Sequence, residues 1–241
     1  AIDGAEQFFT RANDFGFSKN PEETFSIWDK QKILGDVVWV IRKFQPQVII
    51  TRFPPDARAG HGHHTASAML AQEAFSAAAD PKQFPEQLAY VKPWKTTRLL
   101  WNTFNFGGNN TTADDQLKID VGGYNALLGK SYGEIAAESR SQHRSQGFGA
   151  AAQRGSSMEY FSHTAGIPAK ADLFDDIDLR MATTKAEKEL QKSLNQINAE
   201  YQVSKPAASI PALLALRKKS VGLPFNHQLL DELIIACAGL W

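Results

Sequence analysis

The sequence lacks most of the features that assign a protein to a compartment or to a charged partner. Its 241 residues contain a single cysteine, Cys237, so no disulfide can form within the chain. Lysine plus arginine and aspartate plus glutamate each number 26, and a formal net charge of zero gives no bulk attraction to nucleic acid or to an anionic membrane. No apolar run is long enough to span a bilayer, and no signal peptide is visible. The function therefore has to be sought in local motifs.

The hydrophobic patterns that are present predict an α/β fold. Residues 48–51 (VIIT) form a continuous β-branched run, which is typical of a strand buried on both faces of a parallel sheet. Three further strands are expected at 98–104, 117–121 and 158–161. The expected helices cover about residues 20–44, 65–79, 131–146, 184–202, 210–219 and 229–238. We predict a Rossmann-like open, mostly parallel sheet with flanking helices, followed by a helical C-terminal segment.

The character of the chain changes near residue 180, because the strand signals stop and only helical patterns follow. This change predicts a first domain over residues 1–180 and a helical extension or linker over residues 181–241. The chain opens on Ala1 rather than on methionine and closes on an apolar run, which suggests a piece of a longer protein. The alternative is a processed N-terminus and a buried final helix.

Three of the six histidines fall within four residues, in the segment 60–67 (GHGHHTAS). The segment lies between a predicted strand and an alanine-rich helix, where open α/β sheets bind their ligands. The H-x-x-H spacing of His61 and His64 puts both rings on roughly one face once the helix has begun. Such nitrogens, with carboxylates and one water, are what a catalytic zinc ion binds. The pattern predicts a zinc-type site, with His63 pointing elsewhere; the alternative is that these histidines cap the helix or lie in solvent.

Four further residues are candidates for contacts with a substrate or with the histidines. Asp56 lies on the loop before the histidines and Asp14 lies in an earlier turn, although either alone is more often a turn residue. Arg52 directly follows the first predicted strand, where it either clamps a substrate oxygen or pairs with an acid. His143 ends a predicted helix, where the helix dipole favours a charged imidazole; the simpler interpretation is a C-terminal cap.

Taken in order, these motifs resemble a known family. Residues 9–19 (FTRANDFGFSK), residues 51–55 (TRFPP), the H-x-x-H pair and the H-x-S-Q sequence at 143–146 are similar to the LmbE-like (PIG-L) zinc-dependent N-deacetylases. The likeness runs from Phe8 to about Gly166 and is greatest for the long, multi-domain bacterial branch. Members of the family remove acetyl groups from N-acetylglucosamine-type substrates.

The resemblance implies a role for each matched residue. By position, His64 becomes the zinc ligand, and His61 stabilises the tetrahedral intermediate or protonates the leaving amine. Asp14 matches an aspartate that lines the substrate pocket, and His143 matches the histidine of the H-x-S-Q motif. Arg52, Asp56 and His63 are left as residues that contact the substrate or support its neighbours.

The sequence also departs from the family pattern. Gly62 and His63 stand where the family's H-P-D-H motif has proline and aspartate, and Ala59 stands where many members have tyrosine. The N-terminal H-P-D-D-E motif, which supplies the other zinc ligands and the general base, is missing from this sequence. A catalytic zinc needs three protein ligands, so His64 alone does not complete the site. We therefore expect the chain to begin after that motif.

These observations leave two hypotheses for function. The first is that the parent protein is a zinc-dependent amide hydrolase acting on a small N-acetylated amino sugar, and that this chain alone has little or no activity. The resemblance further implies additional domains and favours an extracytoplasmic parent. The second is a non-catalytic carbohydrate-binding or interaction domain of the same fold, in which Phe53, Trp101 and Phe106 stack on sugar rings. A two-metal phosphoesterase is disfavoured, because it needs a denser cluster of ligands.

Overall fold

The computed structural model describes residues 5–106, 108–125, 128–145, 149–177, 184–223 and 227–239. Within these ranges it confirms the predicted α/β class. The α-helices are α1 (Pro21–Ile27), α2 (Lys30–Phe44), α3 (Gly62–Ala77), α4 (Tyr132–Arg140), α5 (Lys185–Glu200), α6 (Ile210–Lys219) and α7 (His227–Cys237). The strands are β1 (Val48–Thr51), β2 (Arg98–Thr103), β3 (Asn105–Phe106), β4 (Asn109–Asn110), β5 (Leu117–Asp120), β6 (Tyr124–Asn125), β7 (Lys130–Ser131) and β8 (Met158–Gly166). Short 3₁₀ turns occur at Ala57–Ala59, Pro85–Ala89 and Pro206–Ser209.

The main sheet has four strands in the order β1-β2-β8-β5. Strand β1 runs parallel to β2, as predicted, whereas β8 pairs antiparallel with both β2 and β5. The centre of the sheet is buried at Leu99 and Leu100 of β2, but Ile50 of β1 is 46% exposed. The prediction that β1 is buried on both faces is therefore wrong, because β1 lies at one edge of the sheet.

The predicted helix over residues 20–44 is two helices with a break between them. Asn20 caps α1 by accepting a hydrogen bond from the backbone N–H of Glu23 at 2.8 Å. Trp28 then leaves the helical conformation, and its indole N–H donates to the carbonyl of Asn13 at 2.8 Å. Asp29 starts α2 as a new N-terminal cap. The break turns an aromatic side chain back toward the segment that precedes α1.

Helices α2 and α3 pack against each other and form the principal apolar core, and α1 also packs against α3. The residues buried there are Ile33, Leu34, Val38, Ile41, Leu70, Ala74, Ala77 and Ala78. Alanine predominates on the α3 side, and such small side chains let two helices approach closely. This packing fixes the N-terminal end of α3, which carries the histidines.

A buried arginine joins α2 to the end of α3. The side chain of Arg42 is 1% exposed and lies beneath the turn that follows α3. Its guanidinium donates to five backbone carbonyls and to one side-chain amide, those of Ala77, Ala78, Asp80, Gln83, Phe84 and Gln87. The last carbonyls of a helix have no partner within the helix, so a cation at that end satisfies them and complements the helix dipole.

The C-terminal helices have an apolar cluster of their own. Helix α6 packs against α5 and α7. The buried residues are Leu190, Leu213, Leu216, Leu230 and Cys237. These helices confirm the predicted helical character of this part of the chain. Among the residues that the structure describes, no helix is long and apolar enough to cross a bilayer.

Candidate active site

The histidine segment lies where the sequence placed it, between the end of β1 and the start of α3. The loop from β1 ends in a 3₁₀ turn, Ala57–Ala59, followed by Gly60 at a φ of +72°, a conformation that favours glycine. Asp56 caps this turn by accepting from the backbone N–H of Arg58 at 3.0 Å, and the Arg58 guanidinium binds both carboxylate oxygens. That guanidinium holds the pKa of Asp56 below its usual value. Asp56 therefore stabilises the loop, and both of its carboxylate oxygens are bonded to Arg58.

His61 is the N-terminal cap of α3. Its Nδ1 accepts the backbone N–H of His63 at 3.1 Å, and the ring of Phe17 contacts it edge-on at 4.8 Å between centroids. Burial, followed by the neighbouring rings of His63 and His64, lowers the pKa of His61. The negative charge of Asp14 opposes this shift.

His64 lies one turn further along the same side of α3. Its Nδ1 is 3.2 Å from the carbonyl oxygen of Ala59, and the ring of Phe53 stacks on it at 3.7 Å with an interplanar angle of 4°. The centroids of His61 and His64 are 5.0 Å apart, so the structure brings the two rings together as the H-x-x-H spacing predicts. With Nδ1 held by a carbonyl, Nε2 is the nitrogen of His64 that remains for another partner.

His63 does not turn away from the other two histidines. Its Nδ1 lies 3.2 Å from Nδ1 of His61 and 3.2 Å from Oγ of Ser18. The rings of Phe15 and Trp28 contact it at 4.4 Å and 4.8 Å, and its Nε2 is buried without a hydrogen-bond partner in the described structure. The expectation that His63 points elsewhere is therefore wrong, because the segment before α1 folds back over α3 and encloses this ring.

Arg52 directly follows β1, next to the Phe53 that stacks on His64, and is exposed. Its guanidinium bonds to the side-chain oxygen of Asn102 and lies 5.9 Å from the centroid of the Phe104 ring. The amide of Asn102 is oriented in turn by Glu159, whose carboxylate accepts from it at 2.7 Å. Asn102 and Glu159 escaped the sequence analysis because each is far from Arg52 along the chain and carries no local motif.

The aromatic side chains proposed to stack on sugars have other roles. Phe53 covers His64, and Trp101 is only 6% exposed beneath the guanidinium of Arg58, which lies 4.8 Å from its ring centroid. The side chain of Phe106 lies outside the described residues. Trp101 is therefore too buried to stack on a sugar, and one face of Phe53 is taken by His64.

The H-x-S-Q segment lies apart from the histidine cluster in the contacts that the structure describes. Helix α4 ends at Arg140 instead of continuing to residue 146, and the backbone N–H of His143 donates to the carbonyl of Arg140 at 3.0 Å. His143 is exposed, and Gln146 lies outside the described residues. The expected helix is shorter than predicted, and the role of His143 stays a prediction.

The described residues do not complete a zinc site. Within them, no group of three or more histidine, cysteine, aspartate or glutamate side chains is arranged to hold a metal ion. His64 offers one nitrogen. Nδ1 of His61 is occupied by the backbone N–H of His63, and Nε2 of His63 is buried. A catalytic zinc requires three protein ligands, so these residues fit the contribution of one ligand and not a full set.

Comparison with known proteins relates the chain to amide hydrolases. No protein-family model matches it. Over 104 residues it is 38% identical to a mycothiol S-conjugate amidase from Streptomyces coelicolor, which covers 42% of this chain and 34% of the relative. Over 74 residues it is 35% identical to a 1D-myo-inositol 2-acetamido-2-deoxy-alpha-D-glucopyranoside deacetylase from Streptomyces avermitilis, covering 31% of this chain and 24% of the relative. These relatives are members of the LmbE-like (PIG-L) family. The resemblance predicted from the motifs is thereby confirmed.

The LmbE-like relationship covers part of each protein. A second deacetylase of the same name, from Streptomyces scabiei, is 32% identical over 74 residues and covers 22% of that relative. The chain thus spans between about a quarter and a third of the length of the relatives it matches.

Proposed function

We propose that this chain is part of an N-deacetylase that hydrolyses the acetamide of a small amino sugar. The observation that carries the proposal is the pairing of His61 and His64 at the C-terminal end of β1, with both Nδ1 atoms already bonded to the chain. Relatives that match the chain are named as a deacetylase and an amidase, and both names describe cleavage of a C–N bond in an amide.

The side chains present suit the charge that amide hydrolysis creates. Addition of water to the carbonyl produces a negatively charged oxygen, and a donor fixed beside that oxygen stabilises the transition state. The His61 imidazole is such a donor, and its position is set by the backbone N–H that it caps. Arg52, oriented by Asn102, supplies further N–H groups for a sugar oxygen.

A catalytic zinc ion would need more ligands than the described residues supply. We propose that Nε2 of His64 supplies one nitrogen, since Nδ1 is held by Ala59 and Phe53 fixes the ring plane. The remaining donors then come from residues outside those described here. Zinc supplies a water molecule of lowered pKa to such hydrolases. Because the described residues provide only one ligand, we propose that these 241 residues alone hydrolyse the amide slowly or not at all.

The proposal is tested by measuring acetate release and bound zinc together. N-acetylglucosamine derivatives are incubated with zinc and either the 241-residue chain or the product of the complete reading frame. We expect turnover and one zinc per molecule in the complete product, with both lost in His64→Ala and retained in the exposed control His163→Ala. Rapid turnover and full zinc occupancy in the 241-residue chain would show that its ligand set is complete. A complete product that binds N-acetylated sugars without zinc or turnover would support the carbohydrate-binding alternative.

A further inference from the structure

His61 and His63 belong to a chain of hydrogen bonds that continues into the segment before α1 and into α1 itself. Its remaining members are Ser18 and Thr24, which are both fully buried. Oγ of Ser18 lies 3.2 Å from Nδ1 of His63 and 2.8 Å from Oγ1 of Thr24. The Thr24 hydroxyl lies 3.2 Å from the backbone carbonyl of Asn20, an oxygen that can only accept. Because this carbonyl can only accept, it sets the direction in which each group of the hydrogen-bond chain donates.

The direction follows bond by bond from that carbonyl. Thr24 donates its proton to Asn20, so its oxygen accepts from the Ser18 hydroxyl. The Ser18 oxygen in turn accepts from His63, which places the proton of a neutral His63 ring on Nδ1. The buried Nε2 of His63 is then a bare acceptor. The opposite direction would leave an unpartnered N–H at that buried atom, which proteins avoid more strictly than an unpartnered acceptor.

The contacts at the start of α3 independently indicate the same tautomer of His63. Nδ1 of His61 accepts the backbone N–H of His63 at 3.1 Å, so this nitrogen carries a lone pair and no proton. Nδ1 of His63 lies 3.2 Å from it, and two bare nitrogens at this distance would repel each other. A proton on Nδ1 of His63, shared between Oγ of Ser18 and Nδ1 of His61, makes the contact attractive. The proton of His63 is thus placed on Nδ1 from both directions, and the helix cap places that of His61 on Nε2.

We infer that Thr24 and Ser18 are positioning residues that hold the proton of His63 on Nδ1, and that His63, through its backbone N–H and this ring N–H, holds His61 as the tautomer with its proton on Nε2. The inference rests on the proposed amide hydrolysis for its functional meaning, although the tautomer itself does not. A neutral His61 of this kind offers an N–H to a substrate oxygen. It has no lone pair with which to accept a proton from water or to bind a metal, because its other nitrogen is occupied by the helix cap. His61 is thereby a hydrogen-bond donor to the developing negative oxygen, and His64 alone of the three is open as a ligand.

The tautomers are read directly by ¹⁵N–¹H correlation spectra of the full 241-residue chain labelled at histidine. At neutral pH we expect His61 to show a protonated Nε2 and a bare Nδ1, and His63 to show the reverse. A proton on Nδ1 of His61 would overturn the inference. This measurement needs no substrate and no zinc, so it stands whether or not the protein proves to be a deacetylase.

The positioning role is tested with Thr24→Val, which keeps the shape of the side chain and removes its hydroxyl. Without Thr24 as an acceptor, Ser18 turns its proton toward His63, and the single-tautomer signal of His63 is expected to be lost. The control is Ser26→Ala, an exposed serine of α1 whose hydroxyl bonds only to the carbonyl of Glu23. Unchanged histidine signals in a folded Thr24→Val protein would overturn the assigned direction.

The activity of the protein encoded by the complete reading frame provides a second test of the role of His61. If His61 is a donor, His61→Gln keeps an N–H group and is expected to retain more kcat than His61→Phe, with similar KM values. Equal loss of kcat in both variants would contradict the donor role. If the unaltered enzyme hydrolyses no amide, the proposed function fails while the tautomer assignment is still decided by the spectra.

Discussion

At the scale of single residues, the site depends on how closely the backbone of α3 approaches the segment before α1. A methyl group on Gly62 would lie 2.3 Å from the carbonyl oxygen of Asn20, 2.4 Å from Oγ of Ser18 and 2.7 Å from Oγ1 of Thr24. A side-chain Cβ atom essentially never comes this close to another heavy atom, so one of the partners has to move. The position occupied by proline in the family motif is here filled by the one residue that leaves room for the buried hydroxyls.

We therefore expect Gly62→Ala to lower the free energy of unfolding by about 1–3 kcal/mol through overpacking. This loss is expected although alanine forms helices better than glycine by about 1 kcal/mol. Urea denaturation followed by circular dichroism measures the change. Ser67→Ala, an exposed position on the same helix, is expected to stay within about 0.5 kcal/mol of the unaltered protein. An unaffected Gly62→Ala protein would mean that α3 and the preceding segment are less tightly packed than described.

The sequence predicted the centre of this site better than its surroundings. The H-x-x-H spacing correctly paired His61 with His64, because helical periodicity is a local property. It could not predict that His63 contacts Ser18, 45 residues earlier, since that contact exists only after α1 has folded against α3. The limit at Asp56 was a different one. Its partner Arg58 is only two residues away, but no recognisable motif indicates the bond.

At the scale of secondary-structure elements, Arg42 is the main polar link between α2 and α3. We expect Arg42→Met to reduce the free energy of unfolding by about 3 kcal/mol, because the carbonyls it satisfies lose charged donors and are only partly reached by water. Equilibrium urea denaturation measures this loss. The neighbouring exposed residue serves as the control, and Lys43→Met is expected to change stability by less than about 0.5 kcal/mol. If the two variants are equally stable, the buried bonds contribute little.

The start of α4 makes the fold sensitive to acid. The Arg154 guanidinium, followed by the backbone N–H of Ser131, lowers the pKa of Glu134 from 4.5 to about 2. A carboxylate with a depressed pKa stabilises the folded state fully above about pH 4.5, and this contribution is lost as the pH falls toward 2.

We expect the difference in urea midpoint between the unaltered protein and Glu134→Gln to be constant above pH 5 and to vanish as the pH approaches 2. Arg154→Gln removes the principal cause and is expected to raise the pKa of Glu134 toward its ordinary value, which an NMR titration of the carboxyl carbon measures. A difference that persists undiminished at pH 2 would refute the linkage.

The elements themselves divide into those fixed locally and those fixed by pairing. The helix starts near residues 20 and 131 and the strand 48–51 appear where the sequence placed them, since each depends on a few adjacent residues, including the caps at Asn20 and Ser131. Strand β8 runs to Gly166, beyond the predicted end at 161, because β2 supplies backbone partners along its whole length. The sequence also could not predict the direction of β8, because its antiparallel pairing with β2 involves residues more than fifty positions away.

At the scale of the whole molecule, we propose that the chain has two separately packed units that divide between residues 177 and 184. The first has its core between α2 and α3, and the second has its own between α5, α6 and α7. Leu216→Ala, at a residue 1% exposed, is expected to cost about 2–5 kcal/mol of stability in the helices of the second unit.

Hydrogen exchange distinguishes two units from one. Leu216→Ala is expected to speed exchange of the amides of α5 to α7 and to leave those of α2 and α3 unchanged. Val38→Ala, at a fully buried position in the first core, is expected to give the reverse pattern. If either substitution accelerates exchange throughout the chain, the two cores unfold as one cooperative unit and the proposed boundary is wrong.

The ring of residue 64 is held flat by an aromatic neighbour and tethered by a carbonyl before any ligand arrives. A side chain in this condition has already lost most of its rotational entropy during folding, so association at its free nitrogen is not opposed by a further ordering cost. The protein meets an incoming metal or substrate with a rigid contact point. Affinity there is then governed by which other donors converge on it, and not by the flexibility of the imidazole itself.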